Sequence, residues 1–370
     1  MKTQKNLRLA LPYFDAKELL AVKKVLDSGY LTQGPKVAEF EQTLKKYIGT
    51  RHAFAVTSAT TALHLSLVAL GIGRGDEVLV PDFTFPASAN VVVQTGAKPV
   101  LVDIDLNTYT MNLEDAARKI TKKTKAIMPV HTFGLSANMS PILKLARNHG
   151  LFVIEDAACA LGASYFGKMC GSLGDTGCFS FHPRKAITTG EGGMITTNDK
   201  KLAEKIILLR SHGGIRKKGR FTFYEAGFNY RMTDIQAAIG IVQMAKFDRI
   251  LKKRLKLAKI MTAALKNIDG VTVPFIPNWG EHTFQSYILL LDNKINRDLV
   301  IQKMKAKNIE TTLGTYALHD QPYFQNAYGY TKGQLRNSHI AYKQTLALPL
   351  HMKMDEGTVR LIISALKKFL

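Results

Sequence analysis

The sequence contains few of the residues that mark several common protein classes. Its 370 residues include 3 cysteines, and Cys159, Cys170 and Cys178 have neither the spacing of a zinc site nor the even number of a disulfide framework. The apolar runs are shorter than a membrane span, and the N-terminal residues lack the hydrophobic segment of a signal peptide. These absences predict a cytoplasmic protein without a membrane partner and without a metal.

Acidic residues are also scarce relative to basic ones. The chain has 51 Lys and Arg against 29 Asp and Glu, a formal net charge of +22. The excess is spread over short clusters such as residues 122–125, 216–220 and 252–254, and no helix-turn-helix, zinc finger or aromatic RNA-binding signature accompanies it. This pattern favours a solvated basic surface, and a regulatory nucleic-acid-binding protein stays open as the competing class of function.

Short β-type runs alternate with helical patterns in the first two thirds of the chain. The runs lie at residues 53–56, 78–80, 100–102, 126–130 and 152–154, and helical patterns near 60–70, 84–93, 113–120 and 141–149 separate them. This alternation predicts an α/β fold with a mainly parallel sheet flanked by helices.

The pattern changes after residue 221. Residues 233–266 are helical almost throughout, and β-runs at 271–275, 286–291 and 309–312, a helix at 297–307 and a terminal helix from Asp355 follow. We therefore expect a large domain at residues 1–250 and a smaller C-terminal α+β domain at residues 251–370.

Polar residues follow the predicted strands at the edge where parallel sheets bind ligands. The segment TSATT at residues 57–61 opens a helix, where unpaired backbone N–H groups can hold a phosphate. Helix capping by Ser58 or Thr60 explains the same segment and is the better interpretation of it alone. Asp156 ends another strand, where it can pair with a protonated ring nitrogen or simply cap a loop.

A lysine and an aromatic segment complete this group of residues. Lys185 lies in a loop between two β-type runs, beside a glycine-rich turn at residues 190–193, although a solvated lysine would look the same. An aromatic segment, Phe83-Thr84-Phe85, lies upstream. Together these features are what pyridoxal 5'-phosphate requires: a phosphate anchor, an aromatic face, a carboxylate for the ring nitrogen and a lysine that forms an imine.

Motifs along essentially the whole chain resemble one family. They are LTQGP at 31–35, then TSATTAL, DEVLVPDFTFPAS, GAKPVLVDID, PVHTFG, VIEDAACALGA, FSFHPRKAITTGEGG, GFNYRMTDIQAAIG and ALPLHMKM. In this order they resemble the nucleotide-sugar aminotransferases of the DegT/StrS type, which are fold-type I pyridoxal-phosphate enzymes.

The resemblance implies a role for each matching residue. Lys185 corresponds to the lysine that forms the Schiff base with the cofactor, and Asp156 to the partner of the pyridine nitrogen. The remaining cofactor-binding positions are Ala59 and Thr60 at the phosphate turn, Ser180 with a further hydroxyl, Phe85 stacked on the ring, Cys159 near the ring face, and Asn229, which reaches the phosphate of the neighbouring subunit.

Two positions depart from the family pattern. Ala59 replaces a glycine that is usual at the phosphate turn, and Cys159 replaces a Gln or His near the phenolic oxygen of the cofactor, so that hydrogen bond is in question. Lys185 is present, which argues against the branch of the family in which a histidine takes its place and the enzyme is a dehydratase. His182 stands between Ser180 and Lys185 without an assigned role.

The resemblance also implies a reaction and an assembly. Glutamate donates its amino group through the pyridoxamine form of the cofactor to a keto group of a nucleotide-linked sugar, and the TTGEGG turn at residues 188–193 favours the C4 position of a 6-deoxy sugar. A 3-keto sugar or a non-sugar keto substrate stays open. A shared Asn229 implies an obligate homodimer, unless Asn229 only caps the long helix that begins near Thr233.

Overall fold

A computed structural model describes residues 6–217 and 219–370. Its α-helices, in chain order, are α1 (Ala16–Ser28), α2 (Pro35–Ile48), α3 (Ala59–Ala69), α4 (Ala87–Gln94), α5 (Leu113–Arg118), α6 (Met139–His149), α7 (Lys200–Arg210), α8 (Asp234–Ala245), α9 (Phe247–Leu265), α10 (Arg297–Ala306), α11 (Pro322–Tyr328), α12 (Arg336–Gln344) and α13 (Glu356–Leu366). Short 3-10 helices lie at Thr132–Gly134 and Leu318–Asp320. None of the helices in these ranges is both long and apolar enough to cross a membrane.

The strands include those predicted for the first two thirds of the chain and several short ones that no run predicted. They are β1 (His52–Val56), β2 (Glu77–Pro81), β3 (Phe83–Thr84), β4 (Lys98–Val102), β5 (Thr124–Ile127), β6 (Phe152–Asp156), β7 (Ser164–Tyr165), β8 (Lys168–Met169), β9 (Thr176–Ser180), β10 (Gly193–Thr197), β11 (Gly214–Lys217), β12 (Arg220–Phe223), β13 (Val271–Thr272), β14 (Gly280–Glu281), β15 (Tyr287–Leu291), β16 (Thr312–Leu313), β17 (Tyr316–Ala317) and β18 (Thr345–Leu348).

The main sheet has seven strands in the order β1-β10-β9-β6-β5-β2-β4. Pairing from β9 through β4 is parallel, whereas β10 runs antiparallel to both β1 and β9. Apolar side chains on its strands, such as Leu79 and Ile154, are fully buried under helices. This sheet confirms the predicted α/β class, and it places the ends of β2, β6 and β9 along one edge.

Helix α3 is buried on almost every side and aims its first turn at that edge. Leu63, Leu65 and Leu67 are at most 1% exposed because the helix packs against the main sheet and against α4 and α7. A helix that is apolar all round belongs in a core and not on a surface. Its burial fixes the position of the segment predicted to hold a phosphate.

A second, antiparallel sheet carries the C-terminal part, in the order β13-β15-β18-β16. Its core includes residues of α9, α10 and α13, and Leu7 near the N-terminus packs against it and pairs with Ile309. The C-terminal α+β character is therefore confirmed. The division into residues 1–250 and 251–370 stays a prediction.

Several predicted elements are shorter than expected. The run at 271–275 is a strand only over β13, because Pro274 has no N–H to give to a partner strand. The strand expected at 309–312 begins at Thr312. The helical stretch 233–266 is divided at Lys246, where the chain turns between α8 and α9 and Nζ of Lys246 lies 2.6 Å from an Oε atom of Glu18.

Candidate active site

A cavity of about 670 Å³ opens at the carboxyl ends of the main-sheet strands. This volume lies in the range of small-molecule sites. The predicted residues Ala59, Thr60, Phe85, Asp156, Cys159, Ser180 and Lys185 all line it, together with Ser88, His182 and Arg184 and, from the C-terminal part, Gln285, Thr312 and Leu348. Seven of the eight predicted residues thus meet in one place, and Asn229 does not.

Lys185 lies in the loop between β9 and β10, as the sequence predicts. Its backbone N–H donates to the carbonyl of His182 at 2.8 Å, which closes a tight turn. The side-chain amide of Gln285 donates to the carbonyl of Arg184 at 2.7 Å, so the C-terminal part also holds this loop. Nζ of Lys185 lies 3.0 Å from Sγ of Cys159. The amine is thereby directed into the cavity, toward the end of β6.

Asp156 ends β6 and is 5% exposed. One carboxylate oxygen accepts from Oγ of Ser88 at 2.7 Å, and the other accepts from the backbone N–H of Ala158 at 3.1 Å. Both of these donors, which the described residues supply, are uncharged. Burial of a carboxylate is costly unless a cation or strong donors compensate. The arrangement suits a protonated ring nitrogen, which would supply the missing positive charge.

The turn that opens α3 can hold a phosphate. Ser58 caps the helix and Thr61 completes a capping box, so the capping interpretation is confirmed. Neither the N–H of Ala59 nor that of Thr60 has an acceptor among residues 6–217 and 219–370. These two donors therefore remain available at the positive end of the helix. Alanine is compatible with position 59, because this residue begins a helix and needs no glycine backbone.

Gly193 brings the glycine-rich turn against this phosphate turn. A Cβ at this position would meet the carbonyl oxygen of Ser58 and lie 2.7 Å from the backbone nitrogen of Ala59. Gly193 is also the partner of Ser180 in the pairing of β10 with β9. Only glycine permits this close approach. Gly193 therefore allows Ser180 and the first turn of α3 to line the cavity together.

Phe83 and Phe85 serve different purposes although they stand two residues apart. Phe83 is fully buried and packs against Tyr109 and Phe133. Phe85 is 66% exposed and lines the cavity, where its ring face is open to a flat ligand. Exposed aromatic surface of this kind at a cavity indicates a binding contact.

Asn229 lies outside the cavity of its own chain. Phe228 and Tyr230 stack with ring centroids 4.8 Å apart and pack against the large core, so Asn229 between them is exposed. The alternative that Asn229 caps the long helix is wrong, because Thr233 caps α8 in a capping box with Gln236. A contact with the neighbouring subunit stays a prediction.

Sequence reasoning missed two residues that position the site, Ser88 and Gln285, and left His182 without a role. Ser88 and Gln285 bond Asp156 and the Lys185 loop across 68 and 101 residues of chain, and no local pattern marks either. His182 does line the cavity, and its Nε2 lies 4.0 Å from a carboxylate oxygen of Glu191. Burial lowers the pKa of His182, and the charges of Lys185 and Arg184 act in the same direction against the opposing charge of Glu191, which favours the neutral imidazole.

Comparison with known proteins agrees with this geometry. Residues 12–367 match the DegT/DnrJ/EryC1/StrS aminotransferase family. The chain belongs to this family. It is 42% identical over 369 residues to GDP-perosamine synthase of Caulobacter vibrioides, a match that covers 99% of this chain and 98% of the relative.

Two further comparisons place the chain in the same group. It is 40% identical over 374 residues to spore coat polysaccharide biosynthesis protein SpsC of Bacillus subtilis, covering 98% and 96% of the two chains. The sugar aminotransferase Spr1654 of Streptococcus pneumoniae, solved in a PLP form, superposes with a TM-score of 0.93 at 28% identity and covers 98% of each chain. A PMP form of the same protein gives 0.94 with 98% and 97% covered.

These matches establish the class of enzyme. The chain is a sugar aminotransferase, and its cofactor is pyridoxal 5'-phosphate. The residues of the cavity fit that cofactor by their own chemistry: an amine, a buried carboxylate that lacks a cationic partner, two available N–H groups at a helix start and an open aromatic face.

Proposed function

We propose that this aminotransferase transfers the amino group of glutamate to the C4 keto group of a nucleotide-diphosphate 6-deoxy sugar. The name of the Caulobacter relative gives a GDP-linked amino sugar as its product, and at 42% identity over nearly the whole chain the same class of acceptor is the best supported here. The TTGEGG turn supports the C4 position over C3. The observation that carries the proposal is the meeting of Lys185, Asp156 and the α3 turn in one cavity.

Each residue has a distinct part in this reaction. The cofactor supplies the electron sink and carries the amino group between the two substrates. Nζ of Lys185 would act as a general base toward the carbon that bears the donor's amino group and as a general acid toward the carbonyl carbon of the acceptor, passing each proton to or from the bound cofactor. Asp156 keeps the ring nitrogen protonated by its charge. The N–H groups of Ala59 and Thr60, with the Ser180 hydroxyl, would hold the phosphate, and Phe85 would contact the ring.

The cavity is large enough for more than the cofactor. Residues of the second sheet, including Thr312 and Leu348, form part of its wall. Hydroxyl and backbone groups on such a wall suit the hydroxyls of a sugar. The part-exposed imidazole of His182 and the carboxylate of Glu191 also line the cavity, where a polar acceptor substrate could contact them.

The test is a pair of half-reactions on the purified holoenzyme. Glutamate should bleach the visible absorbance of the bound cofactor, and a nucleotide-linked 4-keto-6-deoxy sugar should restore it with release of the amino sugar. A panel of nucleotides and of 3-keto and 4-keto sugars identifies the acceptor, and NMR of the product locates the nitrogen. Nitrogen on C3, or recovery only with non-sugar keto acids, would overturn the proposal.

We also propose that the protein is a homodimer with shared active sites. Leu19, Leu20 and Leu26 on α1 are 74%, 54% and 54% exposed. The β11–β12 hairpin exposes Phe221 and Phe223 by 56% and 64%. Apolar side chains exposed to this extent on two parts of a chain suit a subunit interface. The hairpin is followed closely by Asn229, whose outward side chain then faces a partner.

Subunit mixing tests this arrangement. Lys185→Ala and Asn229→Ala homodimers should each be inactive or badly impaired, whereas a mixed dimer contains one site with both residues intact. Random exchange of equal amounts should restore about one quarter of wild-type activity. No recovery, with exchange verified by mass spectrometry, would mean that Asn229 acts within its own chain or not at all.

We place the reaction in the cytoplasm. Cys159, Cys170 and Cys178 are all free thiols, which suits a reducing compartment. Localisation of a fluorescent fusion checks this, and a periplasmic or membrane signal would contradict it.

A further inference from the structure

A second group of ionisable side chains lies apart from the Lys185 cavity. His319 and Asp320 belong to the 3-10 helix at Leu318–Asp320, and His339 lies in α12. One ligand atom from each residue can be chosen so that all lie within 4.8 Å of one another. Cysteine spacing alone predicts no metal in this chain. Two imidazoles and a carboxylate, however, can bind a metal ion without any cysteine.

The end of strand β2 orients His319. Nδ1 of His319 lies 2.6 Å from one carboxylate oxygen of Asp82, and the backbone N–H of His319 donates to the other at 2.7 Å. Both side chains are fully buried. An Asp that accepts from Nδ1–H fixes the tautomer in which Nε2 carries a lone pair, and metal-binding histidines are commonly supported in this way.

Nε2 of His319 points at Asp320 without making a hydrogen bond. It is buried and has no hydrogen-bond partner among the described residues, although Oδ1 of Asp320 lies 3.2 Å away. The two atoms are close but poorly aligned for a hydrogen bond. An unprotonated ring nitrogen this close to a carboxylate oxygen is unfavourable unless a cation binds near both.

His339 completes the group from the other side. Its Nδ1 lies 2.5 Å from Oδ2 of Asp320, and the backbone N–H of Gly333 donates to Oδ1 at 2.9 Å. The side chain of His339 is 28% exposed, whereas that of Asp320 is 4% exposed. Solvent therefore reaches the group on the side of His339.

We propose that Nε2 of His319, the carboxylate of Asp320 and Nδ1 of His339 bind one divalent transition-metal ion, with Zn²⁺ the best match, and that water takes the fourth position. Tetrahedral zinc with bonds of about 2.0–2.1 Å separates its ligand atoms by roughly 3.3 Å. The 3.2 Å between His319 and Asp320 already has this spacing. His339 has only to rotate away from its direct contact with Asp320.

The charges of the group favour a divalent ion. Asp82 and Asp320 bring two negative charges into a region that is almost fully buried. With both histidines neutral, one M²⁺ balances them. A proton on His319 is the competing occupant: burial lowers the pKa of His319, but Asp82, Asp320 and Asp103 outweigh burial and raise it.

The ion would join three parts of the chain that are distant in sequence. Asp82 follows β2 and also accepts the backbone N–H of Leu318 through its own carbonyl, at 3.0 Å. Through His319, Asp320 and His339 the metal would tie the segment after β17 and the start of α12 to this edge of the main sheet. Such a link stabilises the fold without taking part in amino transfer.

The test measures metal binding to the holoenzyme after chelator treatment and dialysis. We expect one equivalent of Zn²⁺ per chain by calorimetry, a rise in Tm, and a Co²⁺ visible spectrum of a tetrahedral nitrogen and oxygen site. His339→Ala and Asp320→Asn should each weaken binding by at least about tenfold and remove the rise in Tm. His149→Ala, which removes an exposed imidazole at the end of α6, should leave both unchanged.

Three outcomes would overturn the proposal. The first is no stoichiometric binding to the wild-type protein, which would mean that protons occupy the group. The second is binding that both variants retain with unchanged affinity, which would place the ion elsewhere. The third is a thiolate charge-transfer band with Co²⁺, which would assign the metal to a cysteine such as Cys159. Circular dichroism of each variant establishes that it is folded, and His339→Ala, at a part-exposed position, is the safer of the two.

Discussion

Two buried aspartates stand at the same edge of the main sheet and are treated differently by their surroundings. Asp156 ends β6 and accepts from a serine hydroxyl and a backbone N–H. Asp82 follows β2 and accepts from both the imidazole and the backbone N–H of His319. Both are at most 5% exposed. Among the described residues, the hydrogen-bond donors to Asp156 are thus uncharged, whereas Asp82 has the imidazole of His319 as its partner.

The difference teaches how to separate a binding carboxylate from a structural one. Sequence position alone does not distinguish them. Each comes at the end of a parallel strand, and each lies in one of the motifs that resemble the family, DEVLVPDFTFPAS for Asp82 and VIEDAACALGA for Asp156. What distinguishes them is the charge of the donors. A buried carboxylate with only uncharged donors is stabilised when a ligand brings a positive charge. A buried carboxylate with a basic partner is already compensated and stabilises the fold.

The largest expected effect concerns the amine that faces Asp156 across the cavity. Lys185→Ala should lower kcat by at least about 10³-fold, since the general base is lost and no other described lysine lines the cavity. The visible absorbance of the bound cofactor should shift as the imine is lost. Lys185→Arg is the matched variant, because it keeps the positive charge but forms no imine and should be equally inactive. Turnover of either variant at the wild-type rate would remove Lys185 from the mechanism.

The next effect tests Asp156 itself. Asp156→Asn keeps the size of the side chain but removes its charge, so the glutamate half-reaction should slow by about 10²-fold or more. The cofactor-free protein should lose little stability, and its Tm should stay the same or rise, because a buried charge without a cationic partner is removed. Stopped-flow absorbance and thermal unfolding measure the two quantities. An undiminished half-reaction, or a large loss of stability, would put Asp156 in the same class as Asp82.

Asp82→Asn is the opposite case. The amide keeps only one acceptor oxygen, so its NH₂ group must face either Nδ1–H or the backbone N–H of His319, and the free energy of unfolding should fall by about 1–3 kcal/mol. The rate of the glutamate half-reaction, measured well below the unfolding temperature, should stay within a few-fold of the wild type. If activity falls as far as it does in Asp156→Asn while stability is unchanged, the comparison between the two aspartates fails.

The main features of the site could be predicted from the sequence, whereas its supports could not. Strand-to-helix alternation predicted the edge at which Asp156 and the α3 turn lie, and family motifs predicted Lys185, Ser180 and Phe85. Ser88 reaches Asp156 across 68 residues, and His319 reaches Asp82 across 237. Such contacts depend on how helices and strands pack against each other. Neither the periodicity of the sequence nor the local spacing of its residues predicts that packing. Asn229 is a different case, because the contact that we propose for it depends on a second chain.

The smallest effect concerns Ser88, which supports Asp156 from α4. Its hydroxyl donates to Asp156 at 2.7 Å and lies 3.1 Å from Oγ1 of Thr84, so it holds the carboxylate in place. Ser88→Ala should slow the glutamate half-reaction by only about 3- to 10-fold, because the charge of Asp156 remains and only its orientation loosens.

Ser88→Thr is the matched variant, since it keeps a hydroxyl, and it should recover most of the lost rate if the buried site accepts the added methyl group. The ratio of rates with glutamate and with deuterated glutamate supplies a reading that a purely structural role would not change: a looser carboxylate should make proton transfer more rate-limiting and raise the isotope effect. Equal rates for the alanine variant and the wild type would show that the N–H of Ala158 alone is sufficient to orient Asp156.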